Sequence, residues 1–256
     1  MDAAAYETFA RNERDHFWFV GRRAIFFDLL QRLAAKSLPE HSRVLDLGCG
    51  VGGMLQPLSK YGAVVGMDLD RGSVGFCRQR GFPDVLRAKG NHLPFADESF
   101  GLVGAFDVIE HIPEDTETMA ECHRVLAPGG FLIVSGPAYQ CLFTHQDRMV
   151  HHQRRYTVSE LKQKLAQAGF EIEKASYINL FLFPLILPVI MMKKIREKIR
   201  PPSDQETRFN TDLKFPKIVN RIFAWLFSAE RHLLRFMSFP TGHSLVVLAR
   251  KPKEPQ

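Results

Sequence analysis

The segment Val44-Leu45-Asp46-Leu47-Gly48-Cys49-Gly50-Val51-Gly52-Gly53 constrains this chain more than any other, because an apolar run and a carboxylate lead directly into four glycines within six residues. Glycines at 48, 50 and 52 let the backbone turn sharply and let a ligand reach main-chain atoms that any side chain would cover. By spacing alone, Gly48-x-Gly50-x-x-Gly53 also fits a dinucleotide site, with a pyrophosphate on the N-terminus of the next helix. Asp46 argues against a pyrophosphate, which it would repel. The same carboxylate would attract a ligand carrying an ammonium and a sulfonium.

A second apolar run, Ala63-Val64-Val65-Gly66-Met67, ends at Asp68, twenty residues past Gly48. At that distance a β-α-β unit places an acidic side chain at the end of its second strand, where it can accept both hydrogen bonds of a ribose diol. Leu93-Pro94-Phe95-Ala96-Asp97-Glu98-Ser99-Phe100 and Arg124-Val125-Leu126-Ala127-Pro128-Gly129-Gly130 follow in order. Together these four segments resemble the class I S-adenosylmethionine-dependent methyltransferases over roughly residues 40 to 136, the first being similar to the family's motif I. The resemblance implies an α/β fold with a doubly wound, Rossmann-like, seven-stranded sheet, mostly parallel with an antiparallel last strand and helices on both faces. It implies S-adenosyl-L-methionine as cofactor, with Asp46, Gly48, Cys49, Gly50, Gly52, Asp68, Leu69, Asn91 and Asp107 as its candidate contacts.

Two positions depart from the family. Lys89 stands where an acidic residue usually accepts the adenine amino group, and a lysine cannot accept that bond. Asn91 or a backbone carbonyl is left to do so. Gly101 replaces a common aspartate after the Ser-Phe pair. Other residues read as structural: Asp70 is placed to cap the helix that begins at Arg71, and Pro128-Gly129-Gly130 stops one helix and turns the chain into strand Phe131-Leu132-Ile133-Val134.

Cys49, Cys77, Cys122 and Cys141 show neither C-x-x-C nor metal-ligand spacing, which points to core packing in a reducing cytoplasm. No signal peptide is visible, since Glu7, Arg11, Glu13 and Arg14 interrupt the first apolar stretch. The net charge of +6 is unevenly spread. Residues 1–147 carry 14 basic against 19 acidic side chains and residues 148–256 carry 20 against 9, or −5 and +11. A basic half fits nucleic acid or an anionic membrane surface.

The apolar neighbours favour membrane. Leu180 to Met192 is uninterruptedly apolar and is followed by Lys193, Lys194, Arg196, Lys198 and Arg200. Thirteen residues fall short of the roughly twenty that span a bilayer, and Pro184 and Pro188 are expected to break regular hydrogen bonding partway. An interfacial segment held by cations on anionic lipid fits both facts; a buried helix or a lid over the active site is the competing structural reading. Nucleic acid is disfavoured, because no aromatics alternate with the cations as a base-stacking surface requires. Pro201 to Thr207 reads as a mobile linker. Leu213, Phe215, Ile218, Val219, Ile222, Phe223, Leu226 and Phe227 recur at helical spacing, predicting an amphipathic helix to about Met237. It would cap the core, touch membrane or pair with another subunit.

The expected organisation is an N-terminal helical cap over 1–40, a cofactor-binding core over 41–178 and 243–252, and an apolar-basic insert over 179–242. Within it run a helical region to about Leu38, five strand-helix units to Val134, a loop to Tyr156, a helix from Val158 to Ala168 and a strand over Phe170–Ala175. A closing strand, Ser244–Arg250, pairs antiparallel with that last strand, as the resemblance implies. For a hydroxyl acceptor the enzyme must align the groups and remove a proton. His111, in Asp107-Val108-Ile109-Glu110-His111, is the first candidate base, and the Glu-His pair is similar to that of ubiquinone-biosynthesis O-methyltransferases, where this segment lies near acceptor and metal. A divalent metal carries low weight, because two or three ligands on one turn do not define a site; no metal ligands are assigned. His145 and His151 are further catalytic candidates, in a cationic loop suited to an anionic acceptor. His16 to Arg23 closes the cleft from above or packs on the sheet.

These features point to O-methylation of a membrane-associated lipid, quinone or glycan intermediate by a cytoplasmic protein peripheral at the inner face of the membrane. The alternatives are a nucleotide-dependent oxidoreductase or epimerase, and a non-catalytic membrane adaptor that keeps the fold. Oligomeric state is not legible.

Overall fold

In a computed structural model, which describes residues 3–38, 42–199 and 215–253, the chain opens with α1 (Ala3–Asp15) and α2 (Phe17–Leu29), the latter running on into a π turn, Leu30–Ala34. Seven strands then form one sheet: β1 (Arg43–Leu47), β2 (Ala63–Asp68), β3 (Val85–Arg87), β4 (Phe100–Phe106), β5 (Leu126–Pro137), β6 (Glu171–Ile178) and β7 (Ser244–Arg250). Their order is β3-β2-β1-β4-β5-β7-β6. β7 runs antiparallel to both its neighbours and the other pairs are parallel, which agrees with the fold class the motifs imply. β7 pairs with β6 as expected, Glu171 opposite Arg250 and Ile178 opposite Ser244.

Alternation of side chains builds a core on each face. Leu45, Val103, Leu132 and Val247 point to one side, against Met119, Cys122 and Val125 of α5 (Asp115–Val125) and Leu161 and Leu165 of α7 (Val158–Gln167). Val44, Leu102, Ile133 and Val246 point to the other, against Ile25, Phe26 and Leu29 of α2 and Phe227 of α9 (Lys217–Leu233). The two-residue period of the strands makes this division, and a slip of one residue would exchange the faces. Gly21 lets α2 and α9 approach closely, because a Cβ there would strike the Phe227 ring. β1 and β4 lie side by side with their crossovers leading to opposite ends of the sheet, so the switch point opens a crevice at their carboxyl ends.

Several details differ from expectation. Among the described residues no helix lies between β3 and β4, where turns fill 88–99, so the strand-helix units are not five. Pro128-Gly129-Gly130 lies within β5, at the irregularity between the Phe100–Leu126 and Leu102–Phe131 pairs, rather than before the strand. The loop to Tyr156 contains a short helix, α6 (His145–Met149). The apolar segment does not break at its prolines. It forms one helix, α8 (Phe183–Ile199): Pro184 falls in the first turn, where its missing N–H is unneeded, and Pro188 is carried inside the helix. Nor is α8 a buried core helix. Only Ile190 is buried, while Leu185, Val189, Met191, Met192, Ile195 and Ile199 are exposed. The expected linker at 201–207, with Leu213, lies outside the described residues. Among the described residues no helix is long and apolar enough to cross a membrane.

Candidate active site

The glycine segment turns at the carboxyl end of β1 as the N–H groups of Gly48 and Cys49 both donate to the Met67 carbonyl, at 2.7 and 2.9 Å. Gly48 has a φ of +72°, and a Cβ there would collide with Val108, so no larger residue fits this turn without strain. Asp46 is 2% exposed and its Oδ2 has no hydrogen-bond partner among the described residues. Burial first, and then the charge of Glu13, push its carboxyl well above the usual range. A buried acid with an unmatched oxygen costs folding free energy unless a ligand completes it.

Asp68, at the end of β2, ties the crevice together. Its Oδ2 accepts from the Gly50 N–H at 2.9 Å and its Oδ1 from the Asp70 N–H at 2.8 Å. Asp70 caps α4 (Arg71–Gln79), accepting from Gly72 and Ser73, as the sequence implied. Leu69 beside it is 58% exposed, an apolar surface open to a planar ring. At the far end Asn91 donates to Glu117 at 3.4 Å and Lys89 is exposed. Cys49 is buried and Gly52 lies in the loop at φ +85°. Asp107 follows β4 at φ +51°, accepts from Ser135 Oγ at 3.0 Å and pairs with Arg22 of α2.

The N-terminal helices roof this crevice at three points. Tyr6 Oη donates to Asp70 at 2.5 Å, the Glu13 carboxylate lies against Gly53 and accepts its N–H, and Arg22 reaches Asp107. Of the His16–Arg23 group, Phe17 packs in the core on the α2 side of the sheet. Phe17 and Phe19 are buried, while the Arg22 guanidinium lies 5.4 Å from the Trp18 ring and 5.1 Å from that of Phe19.

A second constellation gathers beyond β4 and β5. Glu110 is fully buried, neither carboxylate oxygen has a side-chain or main-chain donor from another of the described residues, and burial raises its pKa to about 8. His111 packs on His152, ring centroids 4.6 Å apart, and burial together with the charge of His152 lowers it to about 4. His152 Nδ1 lies 2.9 Å from Asp147 Oδ1, and Asp147 also accepts from Arg155 Nε and Nη2 at 2.8 and 3.0 Å. Burial works against the Asp147 charge, yet its bonds to His152 and Arg155 hold its carboxyl well below the ordinary range. Ionised, Asp147 can only accept, so His152 donates to it from Nδ1 and presents Nε2 on the other side of the ring. That Nε2 lies 3.9 Å from Glu110 Oε1. His243 stands near this group, half-buried, lowered to about 3 chiefly by desolvation, edge-on to Trp18 at 5.3 Å and 6.5 Å from Phe183 of α8.

Of the histidines expected in the loop after β5, His151 meets His111 through its backbone, since the His111 ring donates to the main chain of Val150 and His151. His145 opens α6, where its N–H donates to Glu197 of α8 at 3.1 Å and its buried Nε2 lacks a hydrogen-bond partner among the described residues. His151 is exposed at φ +63°. The turn at Val150–His151 aims His152 inward instead. Glu13 and His243 had no site role in the sequence reading, whereas Arg22, Glu110, Asp147 and His152 stood in segments named as candidates without a role of their own. Glu110 adjoins a named candidate, but its burial is set by residues far away in the chain. Glu110, His111 and His152 present ligand atoms within 4.8 Å of one another, close enough for one cation.

Residues 45–134 match the family model described as a methyltransferase domain. A protein of Mycolicibacterium smegmatis named "Probable S-adenosylmethionine-dependent methyltransferase" is 33% identical over 62% of this chain and 61% of its own length. A ubiquinone biosynthesis O-methyltransferase of Rhizobium etli is 30% identical over 52% of this chain and 61% of its own. The chain thus spans about three fifths of the length of these relatives. A chain from the solved complex between the Haloferax volcanii Trm112 methyltransferase activator and a methyltransferase superposes with a TM-score of 0.61, covering 99% of this chain and 97% of that one at 19% identity. That likeness speaks to the fold.

Proposed function

We propose that this chain, which belongs through its 45–134 segment to the class I S-adenosylmethionine-dependent methyltransferases, moves a methyl group from that cofactor to a hydroxyl of a membrane-associated lipid, quinone or glycan intermediate. The observation that carries the cofactor is the unmatched Asp46 carboxylate beside a glycine turn, with Asp68 one strand away. Asp46 suits the cationic methionyl end. Asp68 has lone pairs for the ribose diol, and Leu69 offers a face to adenine. The residue-level assignments to Gly48, Cys49, Gly50 and Gly52 follow from their place in the same turn. Asn91 is proposed at the adenine end. Asp107 is proposed as a cofactor contact at the end of β4, where it pairs with Arg22.

Transfer breaks the S–CH3 bond and forms an O–CH3 bond in line, leaving a neutral thioether. The acceptor's proton goes to a nearby base. His111 and His152 lie together at the carboxyl end of β4 and β5, and His152 is oriented by Asp147. We therefore place the base in that pair, with His151 holding the His111 ring through its backbone and His145 set against Glu197 of α8. A divalent ion on Glu110, His111 and His152 is the second reading of this cluster, favoured by the unpartnered Glu110 oxygens.

A membrane-associated acceptor is supported by the outer surface. Ile218, Ile222 and Trp225 form an exposed stripe on α9, flanked by Lys217 and Arg221, while the acidic Glu230 of that helix is buried. Exposed apolar residues of α8 sit beside Lys193, Lys194, Arg196 and Lys198. Apolar stripes edged by cations suit an anionic bilayer surface. Incubation with methyl-labelled cofactor and separated lipid, quinone and glycan extracts tests the reading: label should enter one fraction, and label in none would refute the acceptor class.

A further inference from the structure

We propose that Glu13 is a cofactor ligand, the upper half of a two-carboxylate cradle in which it and Asp46 hold the ammonium group at the methionyl end of the methyl donor. The inference rests on the cofactor reading above and adds a residue from outside the 45–134 segment.

Glu13 sits in the last turn of α1, whose other polar anchor, Tyr6, is fixed on Asp70. Its carboxylate occupies the space a side chain at residue 53 would fill, and it accepts the Gly53 N–H. Glycine at 53 is therefore explained by this acid: the residue has ordinary backbone angles, and what it permits is close approach. Beyond that one bond, Glu13 Oε2 is buried and has no hydrogen-bond partner among the described residues, and the same is true of Asp46 Oδ2. One acid rises from the sheet and the other comes down from the roof, each unmatched on one oxygen.

The arginines nearby act on Glu13 through space, while their bonds go elsewhere. Arg22 is taken up by Asp107, Arg23 donates to the carbonyls of Glu13 and Arg14, and Arg80 donates to the Val51 carbonyl. Glu13 raises the proton affinity of the buried Asp46, and two acids so placed are costly unless a positive charge enters between them. The ligand that supplies one has an ammonium and is small enough to lie against glycines. Burial lifts Glu13 to about 7, opposed by Arg22, Arg23 and Arg80; Asp46 is raised by burial and then by the charges of Glu13, Cys77 and Asp68. An entering ammonium favours the ionised acid, so ligand binding releases a proton and strengthens as pH rises through this range.

The test is calorimetric titration of the whole chain with two probes. S-adenosylhomocysteine carries the ammonium, and 5′-methylthioadenosine has the same nucleoside and sulfur without it. Glu13→Gln should weaken the first by about tenfold or more and change the second by less than about twofold. In the unaltered chain the ratio of the two affinities should grow from pH 6 to pH 7.5, and in the variant it should stay flatter. Equal loss for both probes, or no loss for either, overturns the proposal, since a merely structural Glu13 would act on both alike. If the variant fails to fold, a pH-independent ratio in the unaltered chain overturns it. Failure of the unaltered chain to bind S-adenosylhomocysteine refutes instead the cofactor reading beneath it.

Discussion

His152 Nδ1 stands 2.9 Å from Asp147 Oδ1, and the same carboxylate is clamped from its other side by Arg155. This fixes the imidazole ring, directs Nε2 toward the Glu110 and His111 cluster, and keeps that nitrogen free to take a proton. His152→Ala is expected to lower methyl transfer by about 100-fold or more while leaving S-adenosylhomocysteine affinity nearly unchanged. Asp147→Asn should fall between the two. If transfer survives His152→Ala but is lost in His111→Ala, measured on whichever extract fraction accepts label, the base is His111.

Glu110 gives a stability prediction with a definite sign. Its folded pKa is raised to about 8 from an ordinary 4.5, chiefly by burial. The folded state therefore holds the proton that the unfolded chain releases, and stability falls as pH rises from about 4.5 toward 8. Glu110→Gln keeps the shape and removes this dependence. The variant's unfolding temperature should gain on that of the unaltered chain between pH 6 and pH 9, by on the order of 2 kcal/mol of stability. Parallel curves in a thermal scan would show that Glu110 does not titrate there.

The α2–α9 contact depends on one missing side chain. A Cβ at Gly21 would meet the Phe227 ring, which is fully buried. Gly21→Val should cost about 1–3 kcal/mol through overpacking and loosen α9, seen as faster amide exchange along Lys217–Leu233. Unchanged exchange would mean that α9 is held from elsewhere.

For the membrane surface, Trp225 is 69% exposed and Phe236 87%. Replacing Ile222 and Trp225 together with glutamate should abolish co-sedimentation with phosphatidylglycerol vesicles, while neutral phosphatidylcholine vesicles bind neither form well. Equal binding of both forms to anionic vesicles would refute contact through α9.

The parts of the fold legible in the sequence are those whose causes are local. The glycine turn, the Asp70 cap, the Asp68 position and the alternating strands each draw on neighbours within a few residues, and all stand where their spacing put them. The site was less legible because its members come from distant parts of the chain. Trp18 meets His243 across more than two hundred residues, and Glu13 acquires its meaning only when α1 folds over Gly53. His152 was passed over for His151 because neighbouring histidines look alike until a left-handed residue turns one outward. Pro184 and Pro188 misled for a related reason: sequence shows the lost hydrogen bonds but not that one of them falls in a first turn, where nothing is lost.

The central claim is that the crevice at the carboxyl ends of β1 and β4, with Asp68 of β2 at its side, receives a sulfonium cofactor through its carboxylates. Calorimetric titration of the intact chain with S-adenosylhomocysteine and, separately, with NAD tests it most directly. One molecule of S-adenosylhomocysteine should bind per chain, with affinity about tenfold or more lower in Asp68→Asn, and NAD should not bind. Binding of NAD, or of neither compound at saturating concentration, would contradict it.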